Sequence, residues 1–284
     1  MSPSQRLFRR FKRHRSGVVG ATVVIILAVI ALTAPYLAPV DPIAQELSKK
    51  FIPPIWQAGG AWPNVLGTDV LGRDLLSRIL FGARLSLLIG LISVGVGALI
   101  GVPLGMTSGY VGGKVDTVLM RLVDVMFAFP AMLLAVVIVA IMGPSLENAT
   151  IAVGIVQVPQ FARIARGAVL SERERDYVLA DRSIGRGHAA ILFRGMLPNI
   201  FPALSVVVTL SFASAVLEAA GLSFLGLGAQ PPIPEWGALI HEGKEYLYQA
   251  WWLIAFPGVA IFTAVLGFNL LGDALRDVLD PKLS

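Results

Sequence analysis

The 284-residue sequence contains no cysteine, which excludes disulfides and thiolate metal sites. Charge is also scarce: Asp, Glu, Lys and Arg make up 14% of the chain, against 56% hydrophobic residues. A soluble domain of this length needs far more charge to cover its surface, so the composition belongs with membrane proteins. There is no GxxxxGK[ST] phosphate loop, so the chain itself is not expected to bind ATP through a Walker motif. No HExxH or paired-histidine spacing is present; His14, His188 and His241 are scattered and read as ordinary surface or interface histidines. Nothing nominates a nucleophile with a base in reach, which disfavours a membrane-embedded enzyme. Nor is there an internal repeat to support the inverted-repeat design of many secondary transporters.

What the sequence does have is long uncharged stretches. They run over Ser16–Val40, Leu85–Gly113, Val125–Leu146, Asn148–Ala162, Gly195–Leu217 and Tyr246–Gly272. About 20 apolar residues, rising ~1.5 Å each, cross a hydrocarbon core ~30 Å thick. Five stretches pass easily. Asn148–Ala162 is short and carries Gln157, Pro159 and Gln160, so it spans only with flanking residues added. The fold class expected is all-α, a polytopic membrane protein with six transmembrane helices. The basic start "RLFRRFKRHR" before the first apolar run resembles a signal peptide. A retained anchor is expected instead, because the run is long enough to span and further spans follow.

The formal charge of +5 might suggest a nucleic-acid partner, but the positive charge collects at membrane borders, so the bilayer is the expected partner and nucleic acid is not. With the N-terminus inside, the inner segments hold seventeen Lys/Arg and the outer ones six, which favours both termini in the cytoplasm. The chain then divides into a basic N-terminus (1–16), a first helix (17–40), an outer segment (41–84) and a core (85–284) with a cytoplasmic loop at 163–197. In the outer segment Leu75, Leu76, Ile79 and Leu80 lie opposite Arg73, Asp74, Ser77 and Arg78, the pattern of an amphipathic helix at the outer surface.

Gly97, Gly101 and Gly105 form a small-xxx-small strip for close helix packing, inside this subunit or against a partner. Arg121 and Asp124 are spaced as an i,i+3 ion pair. Glu218, near the outer end of the fifth span, is a candidate for a substrate path, with interfacial anchoring the alternative.

The inner loop is unusually ordered. Asp176–Ile184 favours helix, Gly185 and Gly187 end it, and a second helical stretch, His188–Leu197, is expected to stop at Pro198. Mixed charge on a helix–turn–helix exceeds what topology requires and suggests docking to a cytoplasmic protein; a solvated loop is the alternative reading.

This loop resembles the EAA loop of bacterial binding-protein-dependent ABC importers. Its pattern is Glu-Ala-Ala, three residues, Gly, nine residues, Ile, one residue, Leu-Pro. The corresponding positions are Leu179, Ala180 and Asp181, then Gly185, then Gly195, Leu197 and Pro198. Glycine and Leu-Pro are kept at the family spacing; Leu179, Asp181 and Gly195 depart from it. "LGTDVLGRDLLSRILFGARLSLLIG", "GYVGGKVDTVLMRLVDVMFAFPAMLLA", "EAAGLSFLGLGAQPPIPEWGALI" and "NLLGDALRDVLDPKL" are similar to the second permease subunit of the dipeptide/oligopeptide importer subfamily.

The resemblance implies a type I importer permease fold in the inner membrane. It also implies a paralogous permease partner forming a heterodimer, two cytoplasmic ATPase subunits that carry ATP and Mg, and an extracytoplasmic binding protein. The chain would then be a non-catalytic subunit without a cofactor of its own. Tyr177, Ala180, Asp181, Arg182 and Gly185 would form the region coupled to an ATPase, with Leu197 and Pro198 setting how the helix enters the fifth span. Di- or oligopeptides are the expected substrates, although the subfamily also handles nickel chelates, glutathione, opines and some sugars. The rival from another class is an ATP-independent secondary transporter or channel.

Overall fold

The structure is a computed structural model and describes residues 9–12 and 14–279. The basic N-terminus expected over 1–16 therefore lies mostly outside the described residues. Among the described residues there is no β-strand, only an isolated bridge between Thr68 and Asp74. The main helices are α1 (Arg15–Leu37), α2 (Leu75–Val111), α3 (Gly113–Phe127), α4 (Ala131–Met142), α5 (Leu146–Glu172), α6 (Asp176–Ser183), α7 (Leu197–Phe224), α8 (Trp236–Gly243) and α9 (Trp252–Leu279).

Among the described residues four helical segments are long and apolar enough to cross a membrane: α1, α2, the continuous run His188–Phe224 and α9. The pair α3 and α4 makes a fifth if counted together, but it is bent by 90°. The expected count of six transmembrane helices thus differs from these four or five at the third and fourth. The third is broken at Phe129-Pro130, where Pro130 stands at the N-cap of α4; proline disfavours helix in the residue before it and has no N–H to continue the ladder. The fourth, α5, is 27 residues and so ~40 Å long, yet it is not among the apolar four. It is sheathed largely by other helices, so its composition is not set by lipid.

The glycine strip explains that sheathing. Gly97, Gly101 and Gly105 face α5 of this same chain. A Cβ on Gly97 would lie 3.0 Å from the Cβ of Gln157, and one on Gly101 would lie 2.5 Å from the carbonyl oxygen of Val158. One on Gly105 would strike the carbonyl of Ala162. A fourth residue of the strip, Gly109, meets the Arg166 carbonyl in the same way. In return, Gly154 of α5 receives Val96. At Gly101, Gly105 and Gly109 the nearest obstructing atoms are backbone carbonyls, which cannot swing aside.

At the far end of the bundle the expected surface amphipathic helix is instead the first part of α2, which runs unbroken for 37 residues. Its charged face does not meet solvent. Arg73 is 2% exposed and Arg78 0%. Both guanidiniums bind Asp69 Oδ2 at 2.6 Å, and they donate to Glu242 Oε2 of α8 at 2.5 and 3.1 Å respectively. This closed ring of two arginines and two carboxylates joins the outer segment, α2 and α8. Tryptophans reinforce it: the Trp236 indole donates to the Ile79 carbonyl at 3.0 Å and that of Trp252 to the Thr68 carbonyl at 3.1 Å. Asp74 caps α2 by accepting from the Ser77 N–H at 2.7 Å, and Glu235 caps α8 by accepting from Gly237 and Ala238.

Two stability predictions follow from these contacts. Gly101→Val should lower the thermal unfolding midpoint of the purified protein, at an overpacking cost of about 1–3 kcal/mol. Gly95→Ala should keep or slightly raise it, because nothing lies within 4 Å of the added carbon and alanine favours a helix interior over glycine by about 0.5–1 kcal/mol. Equal midpoints for the two variants would contradict the strip. Glu242→Gln removes one carboxylate from the buried ring and should cost about 3–5 kcal/mol; a midpoint like that of the wild type would show that the ring does not hold this end together.

Candidate coupling site

The loop between α5 and α7 is built from its termini inward. Asp176 lies in the first turn of α6 and Arg182 in the last, each suited to its end of the helix dipole. Gly185 takes φ +76°, its N–H donates to the Arg182 carbonyl at 3.0 Å, and the Arg186 N–H donates to the Asp181 carbonyl at 3.0 Å. That double return is a Schellman motif, which L side chains fit poorly at the glycine position. The glycine therefore stops α6 as the sequence indicates.

The second stretch behaves differently. Pro198 does not stop a helix: His188–Phe224 is continuous, with a π turn over Ile191–Met196 just before it. The Leu197 N–H reaches back to the Leu192 carbonyl, an i→i−5 bond. Widening the turn admits a proline that has no N–H and whose ring crowds the carbonyl four residues back.

One face of α6 grips the bundle. Val178 is fully buried in a cluster with Met106 and Tyr110 of α2, Ala165 and Val169 of α5, and Ile191, Met196 and Ile200 leading into α7. The half-buried Tyr177 donates from its hydroxyl to Glu172 Oε2 at 2.7 Å. Burial, with Glu172 beside it, raises the Tyr177 phenol above its usual pKa, so it remains a neutral donor. The Arg182 guanidinium lies 5.0 Å from the centre of the Tyr110 ring, whose hydroxyl pairs with His188 Nδ1 at 2.9 Å. The other face is presented to solvent: Leu179 is 47% exposed and Ile184 79%, with Ala180 and Ser183 exposed between them. Tyr177 is half-buried and so is set apart from exposed Ala180 and Ile184.

Ion pairs hold the surrounding helices. Arg166 of α5 binds Asp116 of α3 through both Nε and Nη2, at 2.5 and 2.6 Å. Asp124 pairs with Arg163 of α5 at 2.7 Å, so the expected partner Arg121 is displaced by a cross-helix arginine. His14 contacts Asp277 at 3.0 Å, bringing the start of α1 beside the end of α9. The structure does not bring every candidate residue to this loop. Gly97, Gly101 and Gly105 lie in the α2–α5 contact, and Leu197 is half-buried beside the Val178 cluster. Glu218 sits far along α7, where its Oε2 is buried without a hydrogen-bond partner.

Val178, Tyr110 and His188 escaped the sequence reading. Val178 carries no motif, and Tyr110 and His188 meet only through the fold. Among the described residues no cluster of three His, Asp or Glu is arranged to hold a metal. What the site offers is a short capped helix, rooted in three helices, with an outward apolar face.

The chain was compared with known proteins. Residues 101–284 match the family model for the binding-protein-dependent transport system inner membrane component, and residues 2–54 that for the N-terminal TM domain of oligopeptide transport permease C. The di/tripeptide transport system permease protein DppC of Pseudomonas aeruginosa is 47% identical over 99% of this chain and 93% of its own length. The dipeptide transport system permease protein DppC of Escherichia coli is 48% identical over 100% of this chain and 94% of its own. The glutathione transport system permease protein GsiD of Pectobacterium atrosepticum is 44% identical over 99% and 92%. A chain of the inward-facing MetNI methionine ABC transporter shares the fold, with a TM-score of 0.58, 22% identity, and coverage of 72% of this chain and 96% of that one. With its apolar helices and full-length relatives, the chain belongs to the family of inner membrane permease components of binding-protein-dependent ABC transport systems.

Proposed function

We propose that this chain is one of two paralogous permease subunits of an ATP-driven dipeptide importer. An extracytoplasmic binding protein delivers the substrate, and two ATPase subunits on the cytoplasmic side carry ATP and Mg. The observation that carries this reading is α6: a glycine-capped helix with Leu179, Ala180 and Ile184 exposed and Val178 buried among three helices. An apolar face on a firmly rooted helix suits a groove on another protein, whereas a purely topological loop needs neither. Closure of the ATPases would displace α6, and the Val178 cluster would pass that displacement to α2, α5 and α7 as a rigid-body movement. The effect depends on α6 contacts that differ between the open and closed ATPases.

The excess of Lys/Arg on one side supports a cytoplasmic position for α6 and both termini. Glu218 belongs to the outer part of the translocation path in this reading, because an ionisable side chain on a spanning helix calls for a polar neighbour. Glu218→Gln should leave assembly intact and lower uptake; unchanged uptake would remove it from the path. The relative named for glutathione transport makes glutathione the substrate to test beside dipeptides.

The decisive experiment is Gly185→Pro. Proline cannot adopt φ +76° and lacks the N–H that donates to Arg182, so the cap is lost. The variant should still insert in the membrane but fail to co-purify with the ATPases. Normal co-purification with unchanged uptake would defeat the coupling assignment. Reconstituted alone, the wild-type chain should show no uptake; uptake driven by an ion gradient would favour a secondary transporter.

A further inference from the structure

Three residues of the loop, Asp181, Arg186 and Gly195, share one small volume. Arg186 Nη1 donates to Asp181 Oδ2 at 2.6 Å, while the Arg186 N–H already binds the Asp181 carbonyl. The pair therefore bridges the Gly185 turn twice, by side chain and by backbone. Gly195, nine residues further on, faces it from the π turn. A Cβ built on Gly195 would lie 3.5 Å from the same Asp181 Oδ2 and 3.8 Å from Tyr177 Cε2.

Two features of this volume call for an explanation. Asp181 sits in the last turn of α6, the wrong end of the helix dipole for an acid, where it is unfavourable without a local cation. Gly195 has no left-handed backbone to require glycine and lies within continuous helical structure, where glycine costs about 0.5–1 kcal/mol relative to alanine. A single arrangement accounts for both. The Asp181 carboxylate occupies the space above residue 195, and Arg186 neutralises it there. A lone Cβ fits at ordinary contact distance, but each carbon added beyond it extends ~1.5 Å further into the carboxylate and the Tyr177 ring. In the loop pattern quoted above, the position of Asp181 holds alanine and that of Gly195 holds isoleucine. The bulk has moved from one side of the contact to the other.

We propose that Asp181, Arg186 and Gly195 form one polar latch that sets the orientation of α6 against the π turn, in the space an aliphatic side chain at position 195 would otherwise fill. This inference rests on the coupling role proposed for α6. The three are positioning residues, acting through the outward face of the helix.

The test is a double-mutant cycle in the complete importer, reconstituted in proteoliposomes and assayed for ATP-driven dipeptide uptake and basal ATP hydrolysis. Gly195→Ala should stay within about twofold of wild type in uptake, whereas Gly195→Ile and Asp181→Ala should each lower uptake about fivefold. The double variant Asp181→Ala/Gly195→Ile should recover to within about twofold of wild type, because the aliphatic side chain now fills the emptied space. Multiplied single effects in the double variant, or a silent Gly195→Ile, would overturn the latch. A second measurement needs no ATPase. Spin labels at Ser183 and Arg194 of the permease should report a shifted or broadened distance in Gly195→Ile and the original distance in the double variant. An unmoved distance in Gly195→Ile, or an unrestored one in the double variant, would also overturn it. Because that distance is read without the partner subunits, failure of the latch is distinguishable from failure of α6 as the coupling element.

Discussion

The backbone-to-backbone approach of α2 and α5 is the constraint on which the other placements depend. In lipid there is little hydrophobic drive between helices, so association rests on packing and on polar contacts. Packing is effective here because Gly97, Gly101, Gly105 and Gly109 let α5 carbonyls approach α2 directly, with Gly154 taking Val96 in return. Once α5 lies in that groove, much of its surface is covered by protein. It can then carry the buried Gln157 within its span, while Arg163 and Arg166 stand further along α5, exposed and half-buried. Those arginines in turn fix α3 through Asp116 and Asp124. The end of α5 is thereby located, and α6 hangs from it.

Charge is handled differently at the two ends of the bundle. Asp69, Arg73, Arg78 and Glu242 are buried together, and their mutual pairing makes the burial tolerable. At the other end the pairs are half-exposed and individually weaker. They act as local ties: Arg166 to Asp116 between α5 and α3, Arg173 to the Gly109 carbonyl of α2, and Arg186 to Asp181 across the turn that ends α6. The arginines that supply the positive-inside bias are thus also structural ties.

Much of this was legible in the sequence. The uncharged stretches located the apolar helices, Gly185 marked the end of α6, and the glycine spacing announced a close helix contact. What failed was every inference about which way a charged side chain points. Arg73 and Arg78 looked like the wet face of a surface helix because their partner Glu242 lies more than 160 residues away. Asp124 looked paired with Arg121 because the nearer charge in sequence is not the nearer in space. Pro198 looked like a stop because a compensating π turn leaves no mark in composition. Apolar periodicity is local and can be read from a window; the partner of a buried charge is set by topology and cannot.

The same distinction bears on the three departures from the importer loop pattern. Leu179 replaces an acid on the outward face, so α6 exposes Leu179, Ala180 and Ile184 there, with Asp176 the exposed carboxylate one turn earlier. Arg182 stacks on Tyr110. In the proposed coupling, recognition by this face would draw on its shape and apolar area, which depend on the angle the helix keeps. Asp181 and Gly195 lie on the opposite side, where that angle is set. A loop that gives up a charged contact with its partner depends more heavily on its own rigidity. The Schellman cap, the Val178 root and the Asp181–Arg186 pair each contribute to that rigidity. In the proposed cycle α2 and α5 move as one body because their backbones are in contact. Flexure is left to the start of α7, where the π turn, Pro198 and Pro202 interrupt the ordinary helix ladder.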